Sequence, residues 1–400
     1  MKFDIFCEIQ RAPPWHGRSE TSLFTEVLDQ ARAAEAAGFD VWWQVEHHGS
    51  PFFSHSAAPE VVLTAIAMAT RTLRVGHAGV LSPFLINNPL RVAERAATLD
   101  VLSGGRLELG LAKSGGKEWE TFGVNPETAR DEVAQAMRMI PRMWAPGEFS
   151  YESPGFTMPA REVTPKPVQK PHPRLWQTCG SPESFRMAGE LGVGALGTTL
   201  LSPVKFLGAM MREHDVGLAN CRQPAGAFIN KEKGAFTFVH VAESREAAIR
   251  SGAAWSALWY VNAAAVTFKV PRRVWYDMIK AGLHPNSAKD TAVVDKRDPN
   301  ETRIEADDPP VVALLKRLAN GEDIGFEEAH EVTEPIDCVV IGDPDHCAAK
   351  LAGFEGVGVD RMMCLMQYGT LAPEAILRSI QLTGDHLVPA FERAPEPVPA

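Results

Sequence analysis

The sequence predicts an α/β fold, a single (β/α)8 barrel of the TIM type with insertions after strands four and seven. Three observations carry this. Short strand-like runs and amphipathic helices alternate from the N-terminus onward. The connections are brief and hold the glycine, proline and asparagine signals of turns and caps. The length, 400 residues, suits one large barrel as well as two average domains. Strand–helix alternation implies parallel strands with helical crossovers, and eight such units close a barrel.

The first strand is expected over 3–9, which alternates apolar and polar residues, and a helix over 22–37 with Leu23, Val27, Ala31 and Ala34 at helical spacing. Gly38 stops that helix in the manner of a left-handed cap. Strand two spans 41–45, a helix 59–69, and strand three 73–80. Asn88-Pro89 pairs a capping residue with a first-turn proline, opening a helix whose apolar face is Val92, Ala96, Leu99 and Leu102. Ser103-Gly104-Gly105 ends it; strand four (107–111) and a helix (128–144) follow.

The alternation resumes with strand 174–178, helix 182–191, strand 195–200 and helix 203–216. Strand seven is placed at 236–241, strand eight at 361–366, and a last helix at 373–388. Two segments interrupt the rhythm. Proline-rich 147–173 contains the alternating pieces EFSYE and FTMPA, which suggest a hairpin and loop. Polar 267–334 lacks periodicity and reads either as a lid over the barrel mouth or as a disordered excursion. The barrel is thus expected over 1–391, with a flexible tail at 392–400.

Composition narrows the function. A net charge of −10 with no basic stripe argues against nucleic acid. Six scattered cysteines without a CxxC pair read as free thiols in a reducing compartment, so a cytoplasmic protein is expected. The N-terminus lacks the long apolar region of a signal peptide, and no apolar run is long enough to span a membrane.

In such a barrel, chemistry gathers at the C-terminal strand ends. QVEHHG (44–49) places Glu46, His47 and His48 at the end of strand two. Neighbouring strand residues point to opposite faces, so the two histidines should separate, one toward the mouth and one toward the helices with Glu46. Taken alone the doublet fits a polar strand end equally well. A metal is disfavoured, because no HxH or CxxC supplies further ligands. LGLAKSGG (109–116) offers close-approaching backbone and Lys113 to an anion, or is simply a glycine turn. TCGSPES (178–184) opens a helix with Ser181 as cap, which is either a phosphate site or plain capping. GVGALG (192–197) matches GxGxxG, but a helix precedes it and a strand follows, the reverse of a dinucleotide fingerprint. Trp275, in the suspected lid, either closes over a ligand or packs the lid on the barrel.

Together these segments resemble the bacterial luciferase-like flavin monooxygenase family. The likeness rests on GFDVWWQVEHH (38–48), TRTLRVGHAGVLSP (70–83), NPLRVAERAATLDVLSGGRLELGLAKSGG (88–116), TPKPVQKPHP (164–173) and CGSPES (179–184). It returns at VIGDPDHCAAKLAGFEGVGVD (340–360) and MQYGTLAPEAILRSI (366–380), and is weakest over 223–334.

The resemblance implies a barrel that binds reduced FMN from a separate reductase, lets molecular oxygen form a flavin peroxide, and oxygenates a small, largely apolar organic substrate. It places His47 beside the flavin, with His48 and Glu46 as near neighbours; proton handling is expected of His47 because an imidazole can give and take a proton near neutrality. Lys113, Gly180, Ser181 and Ser184 fall at phosphate-contacting positions. Gly180 stands where luciferase has an acidic residue, and Ala112 where it has a cysteine. Ala78-Gly79 aligns with a non-prolyl cis peptide under the flavin ring, and Asn88 with a polar residue near the flavin edge. A homodimer through helices 59–69 and 88–102 is also implied. The alternative on the same fold is hydride transfer with a deazaflavin; a flavin binder without activity and a metal hydrolase are more distant possibilities.

Overall fold

The computed structural model describes residues 1–13, 18–153, 155–283 and 301–392. Its strands are β1 (Lys2–Cys7), β2 (Val41–Gln44), β3 (Arg74–Leu81), β4 (Leu107–Ala112), β5 (Glu148–Ser153), β6 (Phe156–Glu162), β7 (Arg174–Thr178), β8 (Gly194–Thr198), β9 (Lys233–Val241), β10 (Val340–Gly342) and β11 (Arg361–Leu365). Eight of them, β1, β2, β3, β4, β7, β8, β9 and β11, pair in that circular order, all parallel, with β11 returning to β1. The sequence therefore folds as the closed barrel it predicts. β10, which sequence periodicity did not reveal, extends the barrel beside the end of β9.

The helices between strands bury most of the faces their spacing suggests; Val92, Ala96 and Leu99 are buried as expected, whereas Leu102, at the end of its helix, is exposed. Leu23, Val27, Ala31 and Ala34 are buried in helix Glu20–Ala36, which a Ser19–Ser22 capping box begins. Helices Pro59–Ala69 and Pro89–Leu102 pack together and leave Val61, Met68, Val101 and Leu102 exposed. The GVGALG segment is a helix stop followed by β8, as its order implies. An antiparallel hairpin, β5–β6, follows the fourth barrel strand and its helix.

The segment 267–334 differs from a polar excursion. Its described residues form helices Arg272–Lys280, Pro310–Ala319 and Phe326–Thr333, behind helix Ala253–Thr267. Residues 284–300, and 393–400 of the tail, lie outside the described residues. The polarity that hid these helices is locally matched: Lys280 Nζ lies 2.7 Å from Asp307 Oδ2, and Lys316 Nζ 2.7 Å from Asp308 Oδ2. Val312, Leu314 and Leu315 are buried beneath them.

The barrel bottom is closed by charge. Arg361, on β11, is 0% exposed. It donates to both carboxylate oxygens of Asp4, at 2.8 and 2.9 Å, to Glu232 at 3.0 Å, and to Asp40. Trp43 Nε1 donates to Asp4 at 2.8 Å and Trp176 Nε1 to Glu108 at 2.8 Å. Glu108 also accepts from Arg74 and Arg174. A buried charge tolerates desolvation only while its partners remain.

Arg361→Met should accordingly destabilise the protein by about 3–5 kcal/mol. Arg378→Met, which breaks the exposed pair with Glu243, should cost no more than about 1 kcal/mol. Urea unfolding checks both, and equal effects would show that the interior network contributes nothing special.

Candidate active site

At the C-terminal rim a cavity opens to solvent. Strand ends β1, β2, β3, β4, β7, β8, β9 and β11 all contribute to its wall, as do Tyr260 on helix Ala253–Thr267 and Phe268 just after it.

On one side stands the histidine doublet. His47 lines the cavity, whereas the His48 ring is turned onto Phe122, 5.1 Å between centroids. The two side chains separate as strand alternation predicts, but both residues meet Glu118. Glu118 Oε1 lies 2.9 Å from His47 Nδ1 and accepts the His48 backbone N–H at 3.0 Å, while Ser114 donates to its other oxygen. Glu46 is on the cavity wall rather than facing the helices. Its Oε1 lies 3.1 Å from His48 Nε2 and accepts from Asn87 Nδ2 at 2.8 Å; Oε2 accepts the Leu81 N–H at 2.9 Å. Glu8, at the end of β1, closes the group: its Oε2 lies 3.6 Å from His47 Nε2, and its Oε1 accepts the Tyr260 hydroxyl at 3.0 Å.

The electrostatics follow from this packing. Burial would raise the Glu118 carboxyl, but the charge and hydrogen bond of His47, with Ser114 and the His48 N–H, hold it below the ordinary range. The Glu46 hydrogen bond, helped by the Glu46 and Glu118 charges, raises His48 against the opposing effect of burial. Burial and the adjacent Glu8 carboxylate push the Tyr260 phenol well up, so it stays a donor.

On the other side lies an anion-friendly surface. Lys113, Arg130, Gly180, Ser181 and Ser184 all line the cavity. Lys113 Nζ sits 5.2 Å from the Trp119 ring centroid. Ser181 caps helix Pro182–Glu190 in a capping box with Ser184, whose Oγ accepts the Gly180 and Ser181 N–H groups at 3.1 and 3.0 Å. Between the two sides the wall is small: Ala78, Gly79 and Ala112. Gly79 has φ 141°, and a Cβ there would fall 2.5 Å from Ala112 Cβ and 2.6 Å from Thr178 Oγ1. Only glycine fits.

Three expectations are corrected. The Ala78–Gly79 peptide is trans; the cis bonds among the described residues are Thr164–Pro165 and Lys170–Pro171. There the chain is irregular instead through a register shift between His77 and Val80 against β4, with the Thr178 hydroxyl donating to Ala78 O. Asn88 is exposed and caps helix Pro89–Leu102 through the Leu90 N–H, away from the cavity. Its neighbour Asn87 is the residue that reaches Glu46. Trp275 is 0% exposed, packed inside the core and absent from the cavity wall.

Sequence reasoning missed Glu8, Glu118, Arg130, Tyr260 and Phe268. Glu8 carried a usable signal, an acidic residue continuing the inward-facing series Asp4 and Phe6 past the end of β1. Arg130, a cation in the first turn of helix Ala129–Trp144, was also visible. Glu118, Tyr260 and Phe268 reach the site only through tertiary folding.

Comparison with known proteins places these features in context. The family described as luciferase-like monooxygenase matches residues 1–361. The chain is 26% identical over 205 residues to the oxygenase component of a flavin-dependent trigonelline monooxygenase from Acinetobacter baylyi, covering 50% of this chain and 55% of that protein. The match spans about half the length of that relative and of another curated relative, an uncharacterised Sinorhizobium fredii protein, 32% identical over 177 residues and covering 44% of this chain and 51% of that one. Among solved structures, the FMN complex of the oxygenating constituent of 3,6-diketocamphane monooxygenase from Pseudomonas putida superposes with a TM-score of 0.70 at 17% identity, covering 97% of this chain and 98% of that one. The coenzyme F420-dependent tetrahydromethanopterin reductase of Methanopyrus kandleri gives 0.66 at 19%, covering 98% and 99%. At such identities the structures establish the shared fold.

The two shifted groups set a pH dependence. His48, raised above 6.5, adds stability that is complete below the ordinary value and is lost as pH climbs through its folded value. Glu118, lowered from 4.5, adds stability above that value and loses it as pH falls through its folded one. His48→Gln is expected to cost up to ~1 kcal/mol near pH 6, allowing for partial exposure, and progressively less toward about pH 9. Urea unfolding across this range tests it; a pH-independent difference would contradict the His48–Glu46 linkage.

Proposed function

The chain belongs to the luciferase-like monooxygenase family, and on that premise we propose that it is the oxygenase component of a flavin-dependent monooxygenase. It would take reduced FMN from a separate reductase and use molecular oxygen to oxygenate a small organic substrate. The observation that carries this is one cavity joining a surface of cations and hydroxyls (Lys113, Arg130, Ser181, Ser184) to the part-buried His47–Glu118 pair across a wall of Ala78, Gly79 and Ala112. The residues present fit a flavin monophosphate. Cations and a helix N-terminus suit a phosphate, and a wall without bulky side chains suits a flat ring.

When bound, reduced flavin supplies the oxygen activation. The chain supplies placement, dryness and proton control. Lys113, Arg130 and the Ser181–Ser184 turn would hold the phosphate. Phe268 and Tyr260, at the rim, would limit water at the mouth. Glu118 engages His47 Nδ1, which leaves Nε2, on the Glu8 side, as the nitrogen that gives or takes a proton. Glu46 and His48 act behind it, fixing the loop through Leu81, Asn87 and Glu118.

A hydride transfer with a deazaflavin is the second reading, favoured by the fold shared with an F420-dependent reductase. Anaerobic titration followed by admission of oxygen separates the two. Reduced FMN is expected to bind, and His47→Asn to keep that affinity within about threefold while releasing near-stoichiometric hydrogen peroxide faster than the wild type. Tight binding of reduced F420 with no affinity for reduced FMN would replace the monooxygenase assignment. Wild-type peroxide release by His47→Asn would remove His47 from proton control.

A further inference from the structure

Around the end of β1, among aliphatic neighbours, the cavity wall carries a group of aromatic and acidic residues. Asp4, Phe6 and Glu8 alternate along β1 and share the inward face. Asp4 is bound to Arg361 at the bottom. One layer up, the Phe6 ring stacks on Phe236 of β9, centroids 4.1 Å apart and 8° between planes. Glu8 stands above Phe6, 2% exposed, with the Tyr260 hydroxyl on one oxygen and His47 beside the other. Phe268 and Tyr260 complete the wall and rest on Phe53, at centroid distances of 5.9 and 5.0 Å. Carboxylates outnumber imidazoles here, Glu8, Glu46 and Glu118 against His47 and His48.

A second feature, independent of the acids, marks the opposite edge of the stacked pair. Thr198 on β8 is in register with Phe236 and lines the same cavity. It is 4% exposed, and its hydroxyl has no hydrogen-bond partner among the described residues. A buried hydroxyl left unpaired is destabilising, and a ligand group that pairs with it relieves that penalty.

We infer that this wall is the substrate subsite, and that it takes a protonated amine whose far end carries a hydroxyl or carbonyl. The ammonium would sit against Glu8 within the Tyr260 and Phe268 rings, where a carboxylate and aromatic faces both favour a cation. The body of the substrate would lie along the Phe6–Phe236 pair, and its second polar group would meet Thr198. This rests on the cavity being the active site of a flavin-dependent oxygenase, and it replaces the expectation of a largely apolar substrate with a cationic, doubly polar one.

Calorimetric titration with tyramine and with tyrosol, which exchanges the ammonium for a neutral hydroxyl, tests the inference. Wild type should bind tyramine at least about tenfold more tightly than tyrosol, and Glu8→Gln should bring the two within about twofold. Thr198→Val should bind tyramine about fivefold more weakly while keeping its preference over tyrosol. Equal wild-type affinities, no tyramine binding, or a preference that survives Glu8→Gln overturns the ammonium site. Unchanged tyramine affinity in Thr198→Val removes the second contact. The wild-type comparison stands even if a variant misfolds. Reduced FMN affinity, measured in parallel, keeps the two claims apart. Amine selectivity without FMN binding would sink the flavin reading alone, and FMN binding without selectivity would sink the subsite alone.

Discussion

A closed barrel of parallel strands has one interior, and every polar group inside it must be paired there or be paired by a ligand. The two ends of this barrel meet that constraint differently. At the bottom, Arg361, Asp4, Glu108 and the two indole N–H groups of Trp43 and Trp176 match each other without solvent. At the mouth the pairing is internal only in part. Glu46 and Glu118 are held by histidines and backbone N–H groups, whereas Thr198 lines the cavity with a buried hydroxyl that has no hydrogen-bond partner among the described residues. Because the strands are parallel, all of their C-terminal ends open on this one rim, so the unsatisfied chemistry is concentrated in one place.

The mouth is also where the chain's long connections converge. Gly116, at φ 58°, lets the loop after β4 approach the Phe268 backbone so closely that a Cβ would lie 2.6 Å from it. That contact sets the end of helix Ala253–Thr267 beside helix Lys117–Phe122, which carries Glu118, and with it Tyr260 beside Glu8. The cluster around His47 is thus assembled from β1, the β2 and β4 loops and helix Ala253–Thr267, and it depends on that helix packing at the rim.

Much of this was legible in the sequence. The eight barrel strands were visible because a doubly covered parallel strand is a short apolar run between turn signals, and because several flanking helices carried a stripe or a cap, whereas helix Ala253–Thr267, apolar all round and without a side-chain cap, gave no such signal. His47, Lys113, Ser181 and Ser184 could be placed because their motifs are local. What failed was non-local or one residue out. Asn88 carries the cap signal, while Asn87 beside it turns inward to Glu46. Trp275 looked available because the helices around it are polar outside, yet it packs fully inside. Glu8, Glu118 and Tyr260 come from segments 110 to 252 positions apart in pairwise separation, by the spacing of Glu8 to Glu118 and of Glu8 to Tyr260, and no periodicity links them.

The proposed flavin site rests on phosphate contact with Lys113, Arg130 and the Ser181 turn in one cavity. Its most direct test compares the anaerobic affinities of reduced FMN and reduced riboflavin, which differ only by the phosphate. Wild type should bind reduced FMN at least about tenfold more tightly, with most of that advantage lost in Lys113→Ala. Equal affinity for the two in the wild-type protein would contradict it.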